Sequence, residues 1–235
     1  MTHLKRLLLG LTMAALLPLS IAHADPLYLL DFVIMNEGYG IEERNNYEAI
    51  IEPISGKYGA KIIRSYDLKQ HLGGAIPNAI RLNVWELPDG AMQKLQQDPD
   101  YQALVAYRDR IHSMADGSLF MATESLGKRE PTTDTIMVDL VVMQDGYGLE
   151  EREAYERKMA PIGAKYGVEK FATYDILQKV GGAAPDGLRV NLWAVPDPSA
   201  MAKAMSDPDY QKLIPRRDQI HRMDLVTLFF AKQAD

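Results

Sequence analysis

An internal duplication constrains this chain more than any other feature. Residues 31–89 laid over 139–197 agree at about half of their positions, far above chance. The run Gly38-Tyr39-Gly40-Ile41-Glu42-Glu43-Arg44 returns as Gly146-Tyr147-Gly148-Leu149-Glu150-Glu151-Arg152. Lys57-Tyr58-Gly59 returns as Lys165-Tyr166-Gly167, Tyr66-Asp67 as Tyr174-Asp175, and Gly73-Gly74 as Gly181-Gly182. Arg81, Asn83 and Trp85 return as Arg189, Asn191 and Trp193. After a one-residue shift, Asp98-Pro99-Asp100-Tyr101 and Ile111-His112 return as Asp207-Pro208-Asp209-Tyr210 and Ile220-His221. The chain must therefore fold as one supersecondary unit made twice. Residues 123–134, rich in Thr and charge with one Pro, read as a linker between a first repeat over 25–122 and a second over 135–235.

Each copy predicts the same element order. Leu27 to Met35 is apolar and β-rich, a strand. Gly38 to Gly40 is a turn, and Glu42 and Glu43 open a helix where negative charge suits the macrodipole. Gly59 stops that helix. Strands follow over Lys61 to Leu68 and Ile80 to Leu87, with Gly73, Gly74 and Pro77 between them. Asp98-Pro99 reads as an N-cap followed by Pro at the first helical position, and Leu119 to Ala122 is the last strand. This β-α-β-β-α-β order predicts an α+β fold: two tandem ferredoxin-like domains packed sheet to sheet as an intramolecular dimeric α+β barrel. The expected assembly is thus an internal pseudo-dimer, with further association left open.

The chain has 235 residues, 47% hydrophobic and 25% charged, which suits a globular protein with a buried core. It has no cysteine, so thiolate catalysis, Fe–S clusters and zinc-thiolate sites are excluded. A formal net charge of -6 argues against nucleic-acid partners. Lys5 and Arg6, the apolar stretch Leu7 to Leu19 and Ala22-His23-Ala24 read as a signal peptide over residues 1–24, so a periplasmic or secreted location is expected, with no membrane partner after cleavage. His71, His112 and His221 are too widely spaced for a metal site, and no metal is expected. No Gly-x-Ser-x-Gly elbow marks a serine hydrolase.

Alternate strand residues face opposite sides. Leu30, Phe32 and Ile34, with Ile80, Leu82 and Val84, form an apolar face. The other face gathers Asp31, Arg81, Asn83 and Trp85, repeated as Asp139, Arg189, Asn191 and Trp193. The apolar face is expected to meet the helices and the mixed face to line the barrel interior. There the set would make a polar pocket with an aromatic wall for a small polar or acidic molecule, or an Asp–Arg pair that fixes how the halves dock. His112 and His221 end the second long helix, four residues after Arg108 and Arg217, and read either as bases or haem ligands or as groups favoured by the helix dipole. Tyr39 and Tyr147 sit in glycine-flanked loops, at a pocket mouth or in a turn needing positive φ. His71 has no twin and reads as a surface residue.

Lys-Tyr-Gly closing the first helix, then Asp-Pro-Asp-Tyr-Gln, then Arg and a downstream strand, resemble the family called domain of unknown function 1330 (DUF1330), of the dimeric α+β barrel superfamily. The resemblance covers both copies and implies the barrel rather than a particular activity. Relatives in that superfamily include small monooxygenases, some of which degrade haem with a strand Trp, a helix His and an Asn. Trp85 and His112 match that set in part, whereas Asp31 stands where Asn would be wanted. Three functions are therefore open: a small-molecule binding protein with no cofactor, a cofactor-independent or haem-degrading monooxygenase-like enzyme, and an interaction protein without ligand. Haem enters only with the second.

Overall fold

The computed structural model describes residues 26–126 and 129–234. The expected signal peptide lies outside them. The first half runs β1 (Leu27–Val33), α1 (Ile41–Gly56), β2 (Lys61–Gly73), β3 (Arg81–Leu87), α2 (Ala91–Gln97), α3 (Pro99–Ile111) and β4 (Ser118–Leu126). The second runs β5 (Thr135–Val141), α4 (Leu149–Ala164), β6 (Glu169–Gly182), β7 (Arg189–Val195), α5 (Pro198–Ser206), α6 (Pro208–Ile220) and β8 (Thr227–Gln233). None of the described helices is long and apolar enough to cross a membrane.

The expected pair of ferredoxin-like sheets stacked face to face does not form. All eight strands join one closed antiparallel barrel in the order β1-β3-β2-β8-β5-β7-β6-β4. The cause is strand length. β2 and β6 run to 13 and 14 residues, well past the Leu68 end expected for β2. The first part of β2 pairs with β3, and Tyr66 to Gly73 pair with β8 of the other half. β4, which continues to Leu126 in the segment read as linker, pairs with β6. A four-stranded sheet standing alone would expose unpaired backbone groups along two edges; joining the halves edge to edge removes every edge.

Closure also decides the faces, and it reverses the expected assignment. The apolar face lines the barrel, where Tyr28, Leu30, Phe32, Leu82, Val84 and Phe120 pack with Val138, Leu140, Val190, Leu192, Tyr174 and Phe229 in one buried cluster. Phe32 and Phe120 meet edge to face at 6.2 Å. Away from the barrel ends the interior has no water to solvate Asp or Arg, so the apolar set belongs there. The mixed face turns outward to the helices. In the first half Leu29, Trp85 and Leu87 pack there against Tyr47, Ile51, Leu95 and Leu104.

The Gly-Gly pairs belong to the seam between halves. Gly74 and Gly182 have φ of +100° and +91°, and a Cβ at either would fall 2.5 Å from the Thr227 Cα or 2.7 Å from the Ser118 Cα. Only glycine lets the long strands pass so close to β8 and β4. The motifs behind the family resemblance form a helix clamp. Asp98 caps α3 by accepting from the N–H groups of Asp100 (2.7 Å) and Tyr101 (3.1 Å). Its other oxygen accepts from the Tyr58 hydroxyl (2.7 Å) and Lys57 Nζ (3.2 Å) at the end of α1. Lys165, Tyr166 and Asp207 repeat this. Tyr58, the capping N–H groups and Lys57 together hold the Asp98 carboxyl down at about 2.

Candidate functional site

The repeated polar residues meet between α1 and the outer sheet face, and again between α4 and its sheet. In the first half the centre is Arg44, on α1 and 3% exposed. Its Nε donates to Glu48 (2.6 Å), one terminal nitrogen to Asp31 (2.9 Å), and the other to His112 Nε2 (3.1 Å). Arg81 donates to Asp67 (2.7 and 3.1 Å) and to Glu48 (2.6 Å). Asn83 donates to Glu48 (2.5 Å) and accepts from Ser65 (2.6 Å). Arg44 and Glu48 are four apart on one helix face, and α1 presents both to the strands.

The second half repeats this with tighter closure. Arg152 reaches Glu156, Asp139 and His221 at 2.6, 2.8 and 3.0 Å. Arg189 reaches Asp175 (2.6 Å) and Glu156 (2.9 Å), and Thr173 stands where Ser65 does. Three bonds have no counterpart in the first half, one of them from Arg189 to Glu153 (3.4 Å), which stands where Asn45 does. Asn191 also donates to Asp139 (3.3 Å), and Lys170, at the position of Ile62, donates to Glu156 (2.5 Å). Burial pushes the Glu156 carboxyl up, but Arg152 and Lys170 outweigh it and hold the group at about 2.

Asp31 and Asp139 consequently differ. The Asp31 side chain keeps 18% of its surface and Asp139 keeps 9%. Asp31 accepts one bond, from Arg44, and burial raises its pKa even though Arg44 opposes the shift.

The histidines are fixed in one tautomer. Arginine can only donate, so the Nε2 atoms of His112 and His221 accept from Arg44 and Arg152, and each Nδ1–H donates to a backbone carbonyl, of Arg108 (3.1 Å) or Arg217 (2.9 Å). Burial, then the neighbouring guanidinium, pushes His112 down to about 3 and His221 to about 4. Tyr47 and Tyr155 pack edge-on against the two rings.

The other candidates lie apart from this chemistry. Trp85 packs in the helix–sheet core. Trp193 has Lys170 Nζ 5.8 Å from its ring, and its buried Nε1 makes no hydrogen bond. Tyr39 packs on the edge of the first helix–sheet core, and Arg216 lies over Tyr147. Their loops are turns: Gly38 and Gly146 both have φ of +85°, and the Gly40 N–H donates to Glu43 (2.8 Å). His71, read as a surface residue, lies against Phe229 with ring centres 5.1 Å apart. The residues missed in the sequence are Arg44, Glu48, Ser65 and Asp67, with Arg152, Glu156, Thr173 and Asp175. Their signal was identity or near-identity between the copies, joined to the i,i+4 spacing of Arg44 and Glu48.

In chemical terms, the side-chain nitrogens of Arg44, Arg81, Arg152 and Arg189 are all engaged, those of Arg189 by three carboxylates, so none stands open to an incoming acid. The group with spare capacity is Asp31, a proton acceptor.

No protein-family model and no curated protein matches the chain. Solved structures share its fold. An anthrone oxidase-like protein aligns with TM-score 0.55 and 10% identity, over 90% of this chain and 92% of its own. A mutant chlorite dismutase from Candidatus Nitrospira defluvii aligns with TM-score 0.54 and 10% identity, over 89% and 92%. A protein provisionally described as a monooxygenase from Fusobacterium nucleatum aligns with TM-score 0.50 and 10% identity, over 91% and 94%. The expectation of no cofactor, haem included, is withdrawn, because the fold is shared with a protein described as a chlorite dismutase (TM-score 0.53, 12% identity, over 90% of this chain and 96% of its own). His112 and His221 do not fit such a group, since both ring nitrogens of each are already engaged.

Proposed function

We propose that this chain is a monooxygenase-like enzyme with one working site, in the first half, where Asp31 takes a proton from a small organic substrate. The observation that carries this reading is the asymmetry of the two networks. One carboxylate of the duplicated set has a single partner, keeps solvent access and has its pKa raised by burial; its twin is closed. A carboxylate of that kind is a better base at neutral pH than a well-paired one. His112, held near 3, is a poor base and serves to position Arg44. Removing a proton from an activated C–H group gives a carbanion that dioxygen oxidises: the methylene becomes a carbonyl and one water leaves. The second network, with Lys170 added, is a structural clamp. The resemblance to DUF1330 is consistent with the barrel and is silent on the reaction.

The test is dioxygen uptake with anthrone, whose methylene is acidic because its anion is an aromatic phenoxide. Asp31→Asn should lower kcat/KM by about 100-fold or more, the usual range for a lost general base, with Asp139→Asn close to wild type. No uptake above buffer, or equal rates for wild type and Asp31→Asn, rejects the reading.

A further inference from the structure

The inner face of the barrel carries a second polar group, at the end where β1 and β5 begin, and neither the helix-side site nor the duplication accounts for it. Arg64 precedes Tyr66 by two on β2, so both face inward, opposite Val84 and Leu82 of β3. The Arg64 guanidinium lies 5.4 Å from the Phe171 ring centre, and one of its nitrogens is 3.5 Å from the Tyr66 hydroxyl. Another donates to the backbone carbonyl of Arg129 (3.0 Å). Tyr28 packs on Tyr174 with ring centres 5.4 Å apart. Tyr174 is fully buried, yet its hydroxyl makes no hydrogen bond of normal geometry. Burial pushes both the Tyr66 and Tyr174 phenols up, and Arg64 is near enough to oppose the shift in each.

Two facts set this group apart. Arg44, Arg81, Arg152 and Arg189 are each neutralised by carboxylates, whereas among the described residues no carboxylate lies within 4.0 Å of the half-buried Arg64. The group also breaks the repeat: Arg64 corresponds to Ala172 and Tyr28 to Ile136. A cavity of about 400 Å³ opens at the same end, with Glu130, Asp134, Ile136, Lys232 and Gln233 in its lining. Gln233 is the strand partner of Tyr66, and Ile136 belongs to the inner core. The connection between the halves thus covers the barrel end beside a guanidinium with no carboxylate within 4.0 Å and a phenol whose hydroxyl makes no well-formed hydrogen bond.

We propose that Arg64, Tyr66 and Tyr174 form a receptor for a small monocarboxylate with a flat apolar body, at the barrel end covered by residues 129–134. A guanidinium and two phenol O–H groups supply the donors a carboxylate needs. Phe171, Tyr28 and Ile136 give the apolar body its surface. The nearby Glu124 and Glu130 oppose any anion, and a dianion such as phosphate about twice as strongly as a monocarboxylate. An unpaired buried hydroxyl is costly to keep, and a bound carboxylate oxygen would satisfy it.

Benzoate is the probe and benzamide its uncharged control, each titrated calorimetrically into the full chain. Benzoate should bind at least about tenfold more tightly than benzamide, and Arg64→Gln should remove that preference, as expected for a lost charge-assisted pair. Tyr174→Phe should weaken benzoate several-fold while leaving the unliganded Tm no lower than wild type, because the hydroxyl it removes makes no well-formed hydrogen bond. Equal binding of benzoate and benzamide to wild type overturns the proposal without any variant. So does unchanged benzoate affinity in Arg64→Gln, or a Tm loss in Tyr174→Phe showing that the hydroxyl is bonded within the barrel. None of these readouts depends on Asp31 or on dioxygen.

Discussion

Replacing Asp31 and Asp139 by Asn, one at a time, sets a carboxylate left short of partners against one that has enough. Asn is isosteric, and its carbonyl can still accept from Arg44 or Arg152. The burial that raises the Asp31 pKa above 3.8 means the folded state binds that proton more tightly than the unfolded state. By linkage, ionised Asp31 subtracts stability at pH 7, and the penalty disappears as pH falls through the raised value toward 3.8. Asp31→Asn should therefore be neutral or stabilising at pH 7. Asp139 accepts from Arg152 at 2.8 Å and Asn191 at 3.3 Å with a side chain 9% exposed. Losing that charge should cost about 1–3 kcal/mol. For a chain of this length each kcal/mol moves Tm by about 2–4 °C, so Asp139→Asn should melt several degrees lower. Thermal unfolding followed by circular dichroism at pH 7 and again near pH 4 reads both. Equal destabilisation by the two variants refutes the reasoning, as does a gap between wild type and Asp31→Asn that stays constant on acidification.

Arg152→Met strands two buried carboxylates and should cost about 3–5 kcal/mol by urea unfolding, and Arg44→Met, whose two carboxylates are half-buried, should cost less than that. The folded state holds His112 near 3 and His221 near 4, below their ordinary 6.5, so stability should be full above pH 6.5 and fall as pH drops toward those values. A His112→Gln, His221→Gln double variant should flatten that acid limb in pH-dependent melting; an unchanged limb assigns it to other groups. Gly182→Ala imposes a positive φ worth about 1–2 kcal/mol on a residue with a side chain, and adds a clash with β4 at the seam. It should lower Tm and the amide-exchange protection of β4, and wild-type protection would show that the seam can shift. In a haemin titration, His112→Ala and His221→Ala should leave any Soret change as in wild type; a variant that loses the band shows the ring can be freed for iron.

The element order and the capping residues were legible because they rest on local chemistry written twice. Asp98-Pro99 has to open a helix wherever it stands. What could not be read was how far β2 and β6 run. Their second parts, Gln70 to Gly73 and Gln178 to Gly182, alternate weakly and gain their strand state from partners far away in the chain, on β8 and β4. That long-range pairing turns two sheets into one barrel.

The error about the faces follows from the same closure, and it explains why the site was half seen. Parity correctly sorted Asp31, Arg81 and Asn83 from Leu30, Phe32 and Leu82, but parity has no sign: it says which residues share a face, not which face is sealed. The sign comes from partners. A buried Asp–Arg–Asn set needs further donors and acceptors, and on the helix side α1 supplies them through Arg44 and Glu48, while the interior strands of both halves supply chiefly Leu, Val, Phe and Tyr. Counting charges on the helices as well as on the strands would have settled the face. Arg44 and Glu48 recur as Arg152 and Glu156 at the same i,i+4 spacing, on a helix whose position in the order lets it pack only on the outer face. The same counting isolates Asp31. The extra Asn191 bond belongs to one copy alone, so Asp31 and Asp139, identical in the repeat, reach the folded state with one donor and with two.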